Sequence, residues 1–384
     1  MKLFMWLSLF LVQLLPISVW AGLPEASFEE VQMESELGSK IASKVQEALE
    51  AKKMPGCVVA IARQGKVVYL QAFGNRQIEP SVEPMKVDSV FDMASLTKPI
   101  VTATCIMQLV EAGKIDLDAP VLQYLSEFRG HGKEAITVRQ LLIHVSGLTP
   151  DNALRDYDNG WSAAYAKICD LTLLSEPGKQ FRYSDVGFLL LGEIVKRVST
   201  QPLDEYAKQH IFQPLGMEET GFNPPAGLQE RAVTTTQVDG VWLQGVVHDP
   251  RANRCGGVAG HAGLFSTAED LLVYAQAMLD ARSEAGSILL PHTLSQMTRS
   301  YDAAGDVRGL GWDKRSAYSR NRGKTMSNAA YGHGGFTGTS LWIDPEQDLV
   351  VLFLSNRVHP NGQGSINDLA GAIGTLAADA CLAD

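Results

Sequence analysis

Ser95-Leu96-Thr97-Lys98-Pro99-Ile100-Val101-Thr102-Ala103-Thr104-Cys105-Ile106-Met107-Gln108-Leu109-Val110 is the stretch from which the fold is read. From Ile100 onward it is apolar on nearly every side, and a helix apolar all round is buried at the centre of a large domain. At its mouth stand a hydroxyl and an amine three residues apart, a spacing that places Ser95 and Lys98 on one helix face. Pro99 fits the first helical turn, where a missing N–H costs nothing. A serine needs an adjacent base to act as a nucleophile, and a lysine serves if it is kept neutral. The positive end of the helix dipole is expected to lower the Lys98 pKa in that direction. The competing reading is a capping serine beside a lysine that extends to solvent.

Around this helix the pattern is that of one sheet assembled from both ends of the chain. Residues 28–53 read as a polar-rich helix with Ile41, Val45 and Leu49 at four-residue spacing. Cys57–Ala62 and Val67–Leu70 flank Gln64-Gly65, a hairpin signal. Thr339–Ile343 and Leu349–Leu354 flank Asp344–Asp348 in the same way, and a helix is predicted around Ile366–Cys381. Residues 115–235 alternate helical patterns with Gly/Pro loops. The expected fold is α/β (α+β), an antiparallel sheet flanked by helices with an inserted all-helical lobe. The α/β lobe is placed at about residues 35–105 and 255–384, the helical lobe at about 106–254, and the cleft at their junction.

Residues 1–21 read as a signal peptide, with Lys2 as the charged end, Leu3–Leu15 as the apolar core and Val19-Trp20-Ala21 as the cleavage site. The expectation is a periplasmic or secreted protein with no stable membrane span once the signal is removed. A net charge of −10 argues against nucleic acid as a partner. The five cysteines have neither metal nor framework spacing. Cys255 is kept as a nucleophile only if Ser95 fails.

Two more motifs join the opening pair. Tyr183-Ser184-Asp185 lies in a polar turn before the helical run Val186–Val198, and His333-Gly334-Gly335-Phe336 leads into the strand Thr339–Ile343. Glycines there let backbone approach a ligand. Ser95-x-x-Lys98, Tyr183-x-Asp185 and His333-x-Gly335, in this order, resemble the three motifs of the serine β-lactamase-like and penicillin-binding family. Tyr in the second motif and His in the third are similar to its class C β-lactamase, DD-peptidase and esterase group. The segment Val247-His248-Asp249-Pro250 through Gly256–Phe265 resembles the penicillin-binding protein 4B-like branch.

The resemblance implies a β-lactamase/transpeptidase-like fold and acyl transfer in two steps. Ser95 is the nucleophile, and Lys98 and Tyr183 share the base and proton-shuttle work. The oxyanion hole falls on the N–H groups of Ser95 and Phe336. His333, Gly335 and Asp185 bind substrate. No metal and no cofactor is implied. The substrate class is a muropeptide ending in a D-amino acid, giving DD-carboxypeptidase-like activity. An ester or a β-lactam is the alternative on the same site, and a non-catalytic wall-ligand sensor is the alternative of another class.

Two positions depart from the family. Asp185 stands where Asn is usual, and a carboxylate near Lys98 favours the ammonium. That leaves a protonated Asp185, a Tyr183-dominated base, a substrate carrying a donor or cation, or a helix cap at Asp185. Gly334 stands where relatives often carry Thr, so a carboxylate-binding hydroxyl is missing. Among the histidines, His144 is expected to fix a loop. His248 and His261, with Asp249 nearby, match no zinc spacing and are expected to hold structure by hydrogen bonds.

Overall fold

The computed structural model describes residues 22–283 and 288–382; the signal sequence expected at 1–21 lies outside them. In chain order the strands are β1 Gly56–Arg63, β2 Lys66–Gln77, β3 Glu83–Pro84, β4 Phe91–Asp92, β5 Gly221–Phe222, β6 Thr234–Val238 and β7 Val241–Gln244. They continue with β8 Leu264–Ser266, β9 Tyr301–Ala303, β10 Asp306–Arg308, β11 Asp313–Arg315, β12 Tyr331–Gly335, β13 Thr339–Asp344 and β14 Leu349–Ser355. Nine of them form one sheet in the order β3-β2-β1-β14-β13-β12-β11-β10-β9. The first hairpin turns at Gln64 and Gly65 with φ of 52° and 73°, the left-handed pair that a tight two-residue hairpin requires.

Strand β1 pairs antiparallel with β14, Cys57 opposite Ser355 and Arg63 opposite Leu349, so segments far apart in the chain meet inside the sheet as its third and fourth strands. Every residue of both strands is buried, because both faces of the sheet are covered. On one face Cys57, Val59, Ile61, Val351 and Phe353 pack with Ile41 and Val45 of the helix Leu37–Glu50 and with Ile373 of the helix Asn367–Asp379. On the other, Val58, Ala60, Leu352 and Leu354 join the larger core with Leu271 and Tyr274 of the helix Ala268–Asp280. The period-two alternation of a strand divides the two cores.

The stretch from Ser95 to Val110 runs through that larger core. Lys98–Ala103 forms a π-helical turn that continues into the helix Thr104–Glu111, and Leu96, Ile100, Val101 and Ile106 are fully buried. Three findings differ from the sequence reading. The lobe expected to be all-helical at about 106–254 also carries β5, paired with β8, and the β6–β7 hairpin. The segment around His333 is itself a strand, β12, paired with β13 from Tyr331 opposite Ile343 to Gly335 opposite Thr339. Strands β9–β11 extend the sheet edge through a region read without strands, three residues each and rich in charge. Among the described residues no helix is long and apolar enough to cross a membrane.

Candidate active site

Ser95 sits in the 3-10 turn Ala94–Leu96 that enters the buried helix. The turn is held from three sides. Asp92 Oδ1 accepts the Ala94 N–H at 2.8 Å while its Oδ2 accepts the His248 N–H at 2.7 Å. Thr97 donates to the Ala94 carbonyl at 2.7 Å and accepts the Leu264 N–H at 3.1 Å. Thr337 donates to the Asp92 carbonyl at 2.7 Å, tying the turn after β12 to the serine loop. Ala94 adopts φ of 46°, a left-handed conformation that costs about 1 kcal/mol or more for a non-glycine residue. The surrounding bonds hold that strain immediately before the nucleophile.

Lys98 is fully buried. Its Nζ donates to Ser95 Oγ at 3.0 Å and to the His261 carbonyl at 2.9 Å, and it lies 2.6 Å from Asp185 Oδ1. An ammonium has three donors, and all three have partners. Burial opposes the charge, but the Asp185 carboxylate and the adjacent Tyr183 oxygen outweigh it and hold the ammonium well above the ordinary lysine range. This corrects the expectation of a helix dipole lowering the Lys98 pKa. A carboxylate at contact distance is stronger than the roughly half charge of a helix end.

Asp185 reaches Lys98 because it opens the helix Asp185–Ser199 while its neighbour does the capping. Ser184 Oγ accepts the Gly187 N–H at 3.1 Å, so the cap is Ser184 and Asp185 is free for the ion pair. Tyr183 is brought alongside, with Lys98 Nζ 5.0 Å from its ring centroid. Its hydroxyl is buried without a well-formed hydrogen bond among the described residues. Burial pushes the phenol up, and Lys98 pulls it back only in part. His144 accepts the Ser184 N–H at Nδ1, 3.1 Å away, and stacks on the Tyr183 ring with centroids 4.3 Å apart. It fixes the second motif from behind.

His333 is buried, and its Nδ1 lies 2.7 Å from the Gly334 carbonyl. A carbonyl only accepts, so the proton is assigned to Nδ1 and Nε2 keeps its lone pair. Burial, with the charges of Arg308 and Lys98, pushes His333 and His144 well below the ordinary histidine range, and both rings are neutral. Gly334 has a steric reason. A Cβ there would collide with Asn321 Nδ2, whose amide is oriented by the Trp342 Nε1 donor at 3.2 Å. Gly335 would collide with Thr339 Oγ1 and the Met93 carbonyl. Phe336 is exposed and stacks between His248, 5.6 Å away, and Arg357, 4.4 Å away.

Asp249, His261 and Asp185 bring ligand-type atoms within 4.8 Å of one another. Their partners explain the cluster without a metal. Asp249 Oδ1 accepts the N–H groups of Arg251 and Ala252 and lies 2.9 Å from His261 Nε2, while Lys98 supplies the cation facing Asp185. Burial works against the Asp249 charge, yet His261 and the helix N–H groups hold its carboxyl well below the ordinary range. All five cysteines are free, and burial pushes the Cys255 thiol up to about 12.

Ser95, Tyr183, His333, Gly335 and Phe336 line one cavity of about 280 Å³, with Lys98 and Asp185 immediately behind. The same cavity is lined by residues the sequence reading did not single out, Arg308, Asp313, Asn321 and Arg357.

A nucleophile, a lysine, a tyrosine and a glycine-rich strand edge around one cavity agree with what the sequence comparisons find. The chain belongs to the β-lactamase family, which it matches over residues 41–375. It is 32% identical over 365 residues to an N-acetylmuramyl-L-alanine amidase of Bacillus subtilis, covering 85% of this chain and 83% of that protein. It is 30% identical over 344 residues to a protein of Escherichia coli K12 named as a D-alanyl-D-alanine carboxypeptidase, covering 79% of each. Among solved structures, a class C β-lactamase superposes with a TM-score of 0.76 over 91% of this chain and 98% of its own, at 19% identity. The fold is β-lactamase/transpeptidase-like, and the protein is a serine hydrolase of that family.

Proposed function

We propose that this hydrolase is exported to the periplasm or medium and cleaves amide bonds in muropeptides, first of all the terminal D-alanyl bond, as a DD-carboxypeptidase of the penicillin-binding protein 4B-like branch. The observation that carries the reading is Lys98 Nζ at 3.0 Å from Ser95 Oγ in a cavity shared with Tyr183 and His333. In the reacting form Tyr183 is ionised: Ser95 Oγ attacks the scissile carbonyl and its proton passes to the Tyr183 phenolate, the Lys98 ammonium stabilising the negative charge on both oxygens before the transfer. The N–H groups of Ser95 and Phe336 receive the carbonyl oxygen. Collapse expels the amine, which takes the proton from Tyr183. Water then attacks the acyl-enzyme by the same route and frees the acid.

A second reading, cleavage at the sugar-lactyl amide, is favoured by the name of the Bacillus subtilis relative and by Phe336, an exposed ring at the cavity mouth suited to stack on a sugar. Mass spectrometry of a reaction with a muramyl pentapeptide separates the two. Loss of terminal D-alanine supports the first, and release of the free sugar with an intact peptide supports the second. Neither product from wild-type protein, or the same product from Ser95→Ala, sinks the muropeptide reading. Export is checked by the N-terminal residue of protein recovered outside the cytoplasm, expected at Gly22.

A further inference from the structure

Outside the active-site cavity, a second hollow carries charge opposite to that of the chain. It is a groove of about 520 Å³ between the end of the helix Leu37–Glu50, the end of β2 and the segment that follows β14. The two hollows share one residue, Arg357. The charged residues lining the groove are Lys52, Lys53 and Arg357, and among the described residues no carboxylate lines it. Three cations gathered on a chain of net charge −10 form a local attractor for anions.

The backbone holds the lysines in place. The Lys53 N–H donates to the Ala48 carbonyl at 3.0 Å and the Lys52 N–H to the Leu49 carbonyl at 2.9 Å, the two bonds of a Schellman turn. Lys52 stands in it with φ of 52°, a left-handed conformation that glycine or asparagine takes at less cost. Lys40 and Lys44 on the preceding helix pair with Glu34 and Glu47, whereas Lys52 and Lys53 have no carboxylate partner among the described residues. A helix C-terminus draws cations, but that does not account for what faces them.

The facing wall is fixed as well. His359 Nε2 accepts the N–H groups of Ile78 and Glu79 at 3.0 and 3.2 Å, and its Nδ1 lies 2.9 Å from the Thr235 carbonyl. Arg357 donates from Nη1 to the Gly364 carbonyl at 2.9 Å and from Nη2 to the Phe336 carbonyl. With its fork spent on carbonyls, Arg357 adds charge rather than the two parallel bonds that a carboxylate takes. Two lysines act as point charges on flexible stems and suit a phosphate. The amides of Asn75, Asn361 and Gln363 and the apolar surfaces of Pro55, Ile78 and Pro360 complete the lining. That mixture fits the hydroxyls and the ring face of a sugar.

We infer that this groove is a second, non-catalytic site whose ligand is a sugar phosphate, with the phosphate on the ammonium groups of Lys52 and Lys53 in the field of Arg357. The sugar then lies on the amides and the apolar wall. The site stands apart from the muropeptide reading, because Arg357 is its only residue that reaches the cavity.

Calorimetric titration of the full chain at about 50 mM salt tests it, since low salt leaves surface charges little screened. Glucose 6-phosphate is expected to bind at least about 10-fold more tightly than glucose or inorganic phosphate, the factor that one charge-assisted contact supplies. Both lysines are exposed, so their replacement leaves the packing intact. Lys52→Asn, which tolerates the left-handed turn, combined with Lys53→Gln is expected to weaken binding about 10-fold or more. Lys52→Arg with Lys53→Arg keeps the charge and is expected to retain binding within about threefold. Ser95→Ala is expected to bind as the wild type does. A phosphorylated dextran separates the sources: tighter binding per phosphate assigns a polymer, equal or weaker binding a free sugar phosphate, and either supports the site. Four results overturn it: no binding of glucose 6-phosphate, inorganic phosphate or glucose binding as tightly, undiminished binding in the neutral double variant, or loss of binding in Ser95→Ala.

Discussion

Asp185→Asn tests the electrostatics of the site most directly. In the wild type the Asp185 carboxylate lies 2.6 Å from Lys98 Nζ, one side chain fully buried and the other about one-fifth exposed. Two unit charges at that distance attract by about 6 kcal/mol at an effective dielectric near 20, and by about 1.6 kcal/mol in bulk water. Partial exposure of Asp185 places the pair between those limits. Removing the negative charge then lowers the Lys98 pKa by about 1 to 5 pH units, at about 1.4 kcal/mol per unit. The sign is the same for Tyr183, because Asp185 raises that phenol as well. Whichever group takes the Ser95 proton, it becomes available at lower pH. The assay is kcat/KM for a p-nitrophenyl ester from about pH 5 to about pH 10, whose acid limb reports the base of the free enzyme. The limb is expected to move down by at least about one unit in Asp185→Asn. Asp185→Glu, which keeps the charge, is expected to leave it in place. An unmoved limb, or one displaced upward, refutes the argument that the ion pair governs the base.

The remaining predictions are simpler. Tyr183→Phe removes a buried hydroxyl that has no well-formed partner, so kcat for the ester should drop by about 10²- to 10⁴-fold while the melting temperature stays within a few degrees. His144→Leu leaves the Ser184 N–H without its acceptor, and urea unfolding should show a loss of about 1–3 kcal/mol. Asp270, on the helix Ala268–Asp280 and not among the residues lining the cavity, has its carboxyl raised to about 6 by burial against the hydrogen bonds from Thr220 and Glu219. A raised acid binds more protons folded than unfolded, so its contribution is present at low pH and lost as pH rises from about 4 to about 6. The stability of Asp270→Asn relative to wild type should therefore climb across that window and level off above it, as read from urea midpoints.

The residues that carry local rules were legible in the sequence. Gln64-Gly65 announces a hairpin because few residues tolerate that geometry, and Ser95, Lys98, Tyr183 and Asp185 stand in short motifs whose spacing is itself the message. Strand β12 was hidden because Gly332, Gly334 and Gly335 read as loop. The strand exists because β13 supplies the pairing, and glycine is required where Asn321, Thr339 and Trp342 crowd the backbone. Strands β9–β11 are too short and too charged to show a period. Arg308 reads as an ordinary surface arginine before Gly309, and only the closing of β10 and β11 under Phe181 makes it a buried cation. The His261 carbonyl that receives Lys98 is a backbone atom, and no residue type signals it.

The pairing of β1 with β14 also sets the order in which the molecule can be made. Cys57 waits for Ser355, so a ribosome must deliver nearly the whole chain before β1 finds its second neighbour. Contacts this far apart in sequence close slowly, and meanwhile β1 presents an apolar edge open to wrong partners. Nascent chains should therefore gain protease resistance in a single late step, once β14 has emerged, rather than in stages along the polypeptide.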